Sequence, residues 1–125
     1  MGRLDTKVAI VTGSAEGIGK ATAILFGKEG AKVVVADINE TKGKEVVDEI
    51  NSADGDAIFF LLDVTNETQW KDLMETTIKK FGRLNVIVNN AGISRAKDIE
   101  NTSLKDWNEI MGVNATGVFL GTKYA

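Results

Sequence analysis

Thr12-Gly13-Ser14-Ala15-Glu16-Gly17-Ile18-Gly19 follows the apolar residues 7–11 and opens an amphipathic run at Ile18. A strand leading into a glycine-rich turn and then a helix is an arrangement for binding phosphate. Glycine lets the backbone turn tightly and approach a pyrophosphate where a side chain would collide. The helix then directs its unpaired N–H groups, and the positive end of its dipole, at the same spot. Glycine-rich turns are common, so the surroundings decide. Asp37 closes the next apolar run, residues 32–36, and stands 18 residues after Gly19. An acid that binds a ribose in a dinucleotide fold is expected at an offset of about 20.

Outward from this stretch, strand and helix patterns alternate without a linker or repeat. Residues 8–11, 33–36, 58–62 and 84–88 read as four short buried strands. The helix after the glycine turn carries Ile18, Ala21, Thr22 and Leu25 at one-face spacing and ends at Gly30. The next, residues 40–50, carries Gly43, Val46, Val47 and Ile50 in the same way. A third, capped by Thr65 or Asn66, turns Trp70, Leu73, Met74, Thr77 and Phe81 to one side. Ser103-Leu104-Lys105-Asp106 has the capping-box pattern and starts a last helix. Continuous apolar strands alternating with helices predict an α/β fold with a parallel sheet covered on both faces. Right-handed crossovers allow the doubly wound (Rossmann) strand order 3-2-1-4, with a ligand crevice at the carboxyl edge.

Composition narrows the partners. The 125 residues, 43% hydrophobic and 26% charged, suit one globular domain over 1–125. Fifteen basic and 18 acidic residues give a net charge of −3 with no basic block, which argues against nucleic acid or an anionic membrane. No apolar run approaches the ~20 residues of a membrane span, and no secretory leader is expected before the first strand. The absence of cysteine fits a cytoplasmic location. With no histidine either, an ordinary zinc site is excluded, and so is the commonest acid–base residue.

The predicted carboxyl edge collects the unusual residues: the glycine turn, Asp37, Asp63 and Asn89-Asn90-Ala91-Gly92. An Asn-Asn-Ala-Gly run is compatible with a plain Asx turn, and Asp63 with a helix cap. At the crevice, Asp63 becomes an acceptor for an adenine amino group. Gly19-Lys20-Ala21 is no P-loop, because no Ser or Thr follows the lysine. A methyl-donor-binding domain would have closer-spaced glycines and would leave Asn89-Asn90-Ala91-Gly92 unexplained.

Taken together these residues resemble the short-chain dehydrogenase/reductase family. The resemblance rests on Thr12 to Gly19, Asp37, Asp63-Val64, Asn89-Asn90-Ala91-Gly92 and Asn114, in order along the whole chain. It implies that Gly13, Gly17, Ile18 and Gly19 cradle a pyrophosphate, with Asp37 and the adjacent Ile38 at the adenosine ribose. It places Asp63 and Val64 beside the adenine and Asn90, Ala91 and Gly92 along the path to nicotinamide. It implies hydride transfer between a nicotinamide ring and an alcohol or ketone of a small molecule, with residues 93–102 expected to form one wall of the substrate pocket. Asp37 repels a 2′-phosphate, and Glu16 adds a second negative charge where phosphate-binding members often carry a basic residue, so NAD is the expected cofactor.

Asn114 sits on a stripe with Trp107, Ile110, Met111, Ala115 and Val118. An unpaired buried amide costs about 1–3 kcal/mol, so a partner must exist. A neighbouring backbone carbonyl satisfies it in one reading; the resemblance implies instead a water-holding proton relay. The family's Ser and Tyr-x-x-x-Lys find no counterpart: Tyr124 is the single tyrosine, followed only by Ala125. The chain is therefore expected to be the truncated, cofactor-binding front part of such an enzyme, inactive alone. A dinucleotide-binding module without chemistry and a subunit needing a second chain remain alternatives. Gly117 and Gly121, four apart, are expected either to mark a homo-oligomer contact through the last helix or to let that helix lie close to its own sheet. An unpaired edge at residues 84–88 adds a drive toward association.

Overall fold

The computed structural model describes residues 2–94 and 97–125. Four parallel strands, β1 (Val8–Thr12), β2 (Lys32–Asp37), β3 (Asp56–Leu61) and β4 (Val86–Val88), lie in the order β3-β2-β1-β4. Around them stand α1 (Gly17–Lys28), α2 (Glu40–Ser52), α3 (Glu67–Phe81), α4 (Leu104–Met111) and α5 (Gly117–Tyr124). The doubly wound order is the one expected. Pairing of Thr12 with Ala36, Asp37 with Leu61, and Val11 with Val88 brings the carboxyl ends of all four strands level.

Valine and isoleucine dominate β1 and β2 because each is covered on both faces. Alternate residues feed opposite layers. Ile10, Val34 and Ala36 join Leu62, Trp70, Leu73 and Leu120 on the α3 and α5 side. Val11, Val33 and Val35 join Ala23, Val46 and Ile50 on the α1 and α2 side. The expected faces of α2 and α3 are found: Gly43, Val46 and Ile50 are buried on one, Trp70, Leu73 and Thr77 on the other. Of the two candidate caps for α3, Asn66 is the one used, accepting from the Gln69 N–H. The Ser103–Asp106 capping box is formed.

Four expectations are corrected. On α1 the inward residues are Gly19 and Ala23, while Ile18 is 80% and Leu25 55% exposed. This helix lies so close to its neighbours that a Cβ on Gly19 would strike the Gly13 carbonyl, and one on Gly27 would stand 2.8 Å from Ile50 Cγ2. β4 is shorter than 84–88, because Asn85 pairs with Val8 partly through its side chain: the Val8 N–H donates to Asn85 Oδ1 at 2.9 Å. The last helix is not uniform; a π-helical turn, Gly112–Thr116, joins α4 to α5. Its expected stripe is largely exposed, with Trp107 at 55%, and the buried residues are Gly117, Leu120 and Gly121. Both glycines face their own chain. A Cβ on Gly117 would stand 2.7 Å from Val64 Cγ2, and one on Gly121 would strike Asn89 and crowd Trp70. They let α5 lie against the sheet, so they give no support to an association surface.

Candidate dinucleotide site

A cleft of about 520 Å³ opens at the carboxyl edge of the sheet. Gly13, Glu16, Ile18, Asp37, Ile38, Asp63, Val64, Asn90, Ala91 and Gly92, all expected there, line it. Ile93, from the 93–102 segment expected as one wall, lines it as well; Asn39, Leu62 and Val113 line it too, and sequence reasoning missed them. Each of the three adjoins an expected residue in the chain, Asn39 beside Ile38, Leu62 beside Asp63 and Val113 beside Asn114, which was the available signal. Gly17, Gly19 and Asn114 stand outside the lining. Arg95 and Ala96, within the 93–102 segment expected to wall the pocket, lie outside the described residues.

The three glycines of the turn act differently. Gly13 has φ +65°, and a Cβ there would stand 2.9 Å from the Ala91 Cα, so it serves both conformation and close approach. Gly17 has φ +62° with open space around it, so conformation alone requires glycine. Gly19 is buried beneath the Gly13 carbonyl. The consequence for α1 is a bare beginning. Asn39, Asn66 and Ser103 accept hydrogen bonds at the starts of α2, α3 and α4, but the Glu16 side chain makes no cap bond to α1. The leading N–H groups of α1, whose Ile18 lines the cleft, thus have no side-chain cap.

Neighbouring strand ends are stitched to that turn. Thr12 Oγ1 donates to the Val88 carbonyl and accepts the N–H groups of Asn90 and Ala91, both at 3.0 Å. The Asn90 amide donates to the carbonyls of Thr12 and Gly13. Asn90 therefore positions the glycine turn, and its amide nitrogen is committed to backbone. Asp37 accepts the Ala15 N–H at 3.0 Å on one oxygen and the Asn39 N–H at 2.9 Å on the other. A carboxylate has about four acceptor sites, so two remain for hydroxyl donors. Asp63 Oδ1 accepts both the N–H and the hydroxyl of Thr65, an Asx turn at the rim. Trp70 Nε1 donates to the Val64 carbonyl at 2.8 Å and holds that wall.

Glu16 is not a bare charge. Lys42 Nζ lies 2.9 Å from its Oε2, and this carboxylate, by hydrogen bond first and charge second, raises the pKa of the Lys42 ammonium. Asn114 is exposed rather than enclosed by an apolar face, and its amide makes a two-point clamp on one residue. Its Oδ1 accepts the Ile93 N–H, and its Nδ2 donates to the Ile93 carbonyl, both at 2.8 Å. The Tyr124 hydroxyl donates to Glu67 Oε2 at 2.9 Å, away from the cleft lining.

A doubly wound sheet with a glycine turn, an uncapped helix and an acid at the next strand end defines a Rossmann-like α/β protein. The chain belongs to the short chain dehydrogenase family, whose model matches residues 7–125. It is 46% identical over 123 residues to a 2,5-dichloro-2,5-cyclohexadiene-1,4-diol dehydrogenase of Sphingobium indicum, covering 98% of this chain and 49% of that relative. It is 43% identical to a cyclopentanol dehydrogenase of Comamonas testosteroni, with the same coverage. A solved short chain dehydrogenase from Mycobacterium avium superposes with a TM-score of 0.95 at 39% identity, over 99% of this chain and 46% of that one. The chain spans about half the length of the curated relatives it matches. Members of the family are oxidoreductases that generally use nicotinamide cofactors. Among the described residues, no helix is long and apolar enough to cross a membrane.

Proposed function

We propose that this chain forms the NAD(H)-binding part of a short-chain oxidoreductase that moves hydride between a nicotinamide ring and an alcohol or carbonyl carbon of a small molecule. The bare start of α1 beside a cleft lined by Gly13 and Asp37 carries this reading, because it leaves backbone donors for a pyrophosphate. Gly13, Gly17, Ile18 and Gly19 hold the pyrophosphate. Asp37 accepts the ribose hydroxyls on its two remaining acceptor sites and repels a 2′-phosphate. Asp63 and Val64 flank the adenine, and Ala91 and Gly92 line the way to the nicotinamide. Asn114 Oδ1 retains one lone pair for a water beyond its bond to Ile93, which suits a proton relay. Association of copies through the last helix rests on exposed Trp107, Met111 and Phe119 rather than on its glycines. The protein works in the cytoplasm.

Calorimetric titration of the purified chain tests the reading. Saturable binding of NAD+ and weaker binding of NADP+ are expected. Asp37→Ala should weaken NAD+ binding roughly tenfold or more, since hydrogen bonds to a charged group contribute about 1.5–3 kcal/mol. A flat titration with both nucleotides overturns it. The 125-residue chain alone should show no turnover with a secondary alcohol, because the proton donor to the reacting oxygen, typically about 10²–10⁴-fold in rate, is not among its residues.

A further inference from the structure

A closed circuit of hydrogen bonds rings one corner of the cleft. Asp37 Oδ1 accepts the Asn39 N–H at 2.9 Å, and Asn39 Oδ1 accepts the Lys42 N–H at 3.0 Å. The Lys42 ammonium donates to Glu16 Oε2 at 2.9 Å, and the Ala15 N–H beside Glu16 returns to Asp37 Oδ2 at 3.0 Å. Three of these links use backbone N–H groups and are fixed by the loop and by the cap of α2. The fourth joins two long side chains, 53% and 69% exposed. Exposed ion pairs contribute little to stability, so this link is the one that opens at low cost. Lys42 is thereby a cation held on a cleft-lining carboxylate, in the same ring as Asp37.

We infer that Lys42 is a specificity-determining residue for the dinucleotide, withheld from a 2′-phosphate by its pairing with Glu16. The inference rests on the reading of this cleft as a dinucleotide site. A 2′-hydroxyl brings no charge to the corner, whereas a 2′-phosphate brings nearly two negative charges and competes with Glu16 for the ammonium. With Glu16 in place the corner carries two carboxylates against one cation, and the hydroxyl form is preferred. With Glu16 neutral, Lys42 is free to turn to the phosphate against Asp37 alone. Glu45, on the same helix, adds a weaker pull on Lys42 and stays in every variant.

Dissociation constants for NAD+ and NADP+ should be measured by calorimetry on the unaltered chain, Glu16→Gln, Lys42→Met and the double variant. Both substituted positions are exposed, and far-UV circular dichroism verifies that the four proteins fold alike. Glu16→Gln should tighten NADP+ about tenfold relative to NAD+, as charge-assisted bonds to phosphate are strong. With Met at position 42 the same substitution should tighten NADP+ by only about two- to threefold, the effect of removing one negative charge. An equal gain in both backgrounds overturns the assignment to Lys42 while leaving the dinucleotide site standing. Absence of binding by either nucleotide in the unaltered chain overturns the site itself.

Discussion

Helices α2 and α4 begin alike and end differently. Asn39 caps one, and the Ser103–Asp106 box caps the other. Both carry apolar residues at one-face spacing. Yet α2 buries Gly43, Val46 and Ile50, whereas α4 buries nothing and leaves Leu104 75% exposed. The difference lies in what stands opposite. α2 lies against β2, β3 and α1, where Phe59 and Ile50 meet its glycine and that of its neighbour. α4 follows β4, an edge strand of the sheet, and among the described residues no strand lies beyond it. Local signals decide that a helix forms; the neighbours available decide whether its apolar face is a core or a surface.

Substitutions on the two helices should differ sharply in their cost. Ile50→Ala in α2 removes a buried side chain packed between two glycine-bearing segments and should cost about 2–5 kcal/mol, read from the urea midpoint. Gly43→Ala places a methyl group against the Phe59 ring, so the chain should lose about 1–3 kcal/mol unless the ring rotates away, which a shifted ring signal in NMR would reveal. Trp107→Ser in α4 should change stability at low protein concentration by less than about 0.5 kcal/mol. A loss as large as that of Ile50→Ala would mean that α4 has a covered face after all. In sedimentation at rising concentration the same variant should associate less than the parent.

The strand order and the faces of α2 and α3 were legible because large apolar residues mark them: valines in the strands, Trp70 and Leu73 on α3. The faces of α1 and α5 were not, for one shared reason. Each makes its closest approach through small residues, so Gly19, Ala23, Gly117 and Gly121 lie inside, with Leu120 beside the last two, while Ile18, Leu25 and Phe119 lie outside. A count of hydrophobic residues is blind to an inward glycine. In the candidate site, the cleft residues were legible from their places at strand ends. The direction of the Asn90 amide, turned back onto Thr12 and Gly13, depends on the nearness of β1 and β4 and leaves no mark in the chain. Lys42 escaped notice because its partner lies 26 residues away.

The π-helical turn Gly112–Thr116, closed by the Gly117 N–H on the Gly112 carbonyl, has a consequence for helix phase. An α-helix advances about 100° per residue, so one residue beyond the regular turn rotates everything after it by about that angle. In an unbroken helix Asn114 and Gly117 would share a face and compete for the same neighbour. Here the extra residue uncouples them: Asn114 grips the backbone of Ile93 at the mouth of the cleft, while Gly117 settles on Val64 behind it. One continuous rod of backbone thereby serves two clients in different directions, and deleting a single residue from the turn would force it to choose between them.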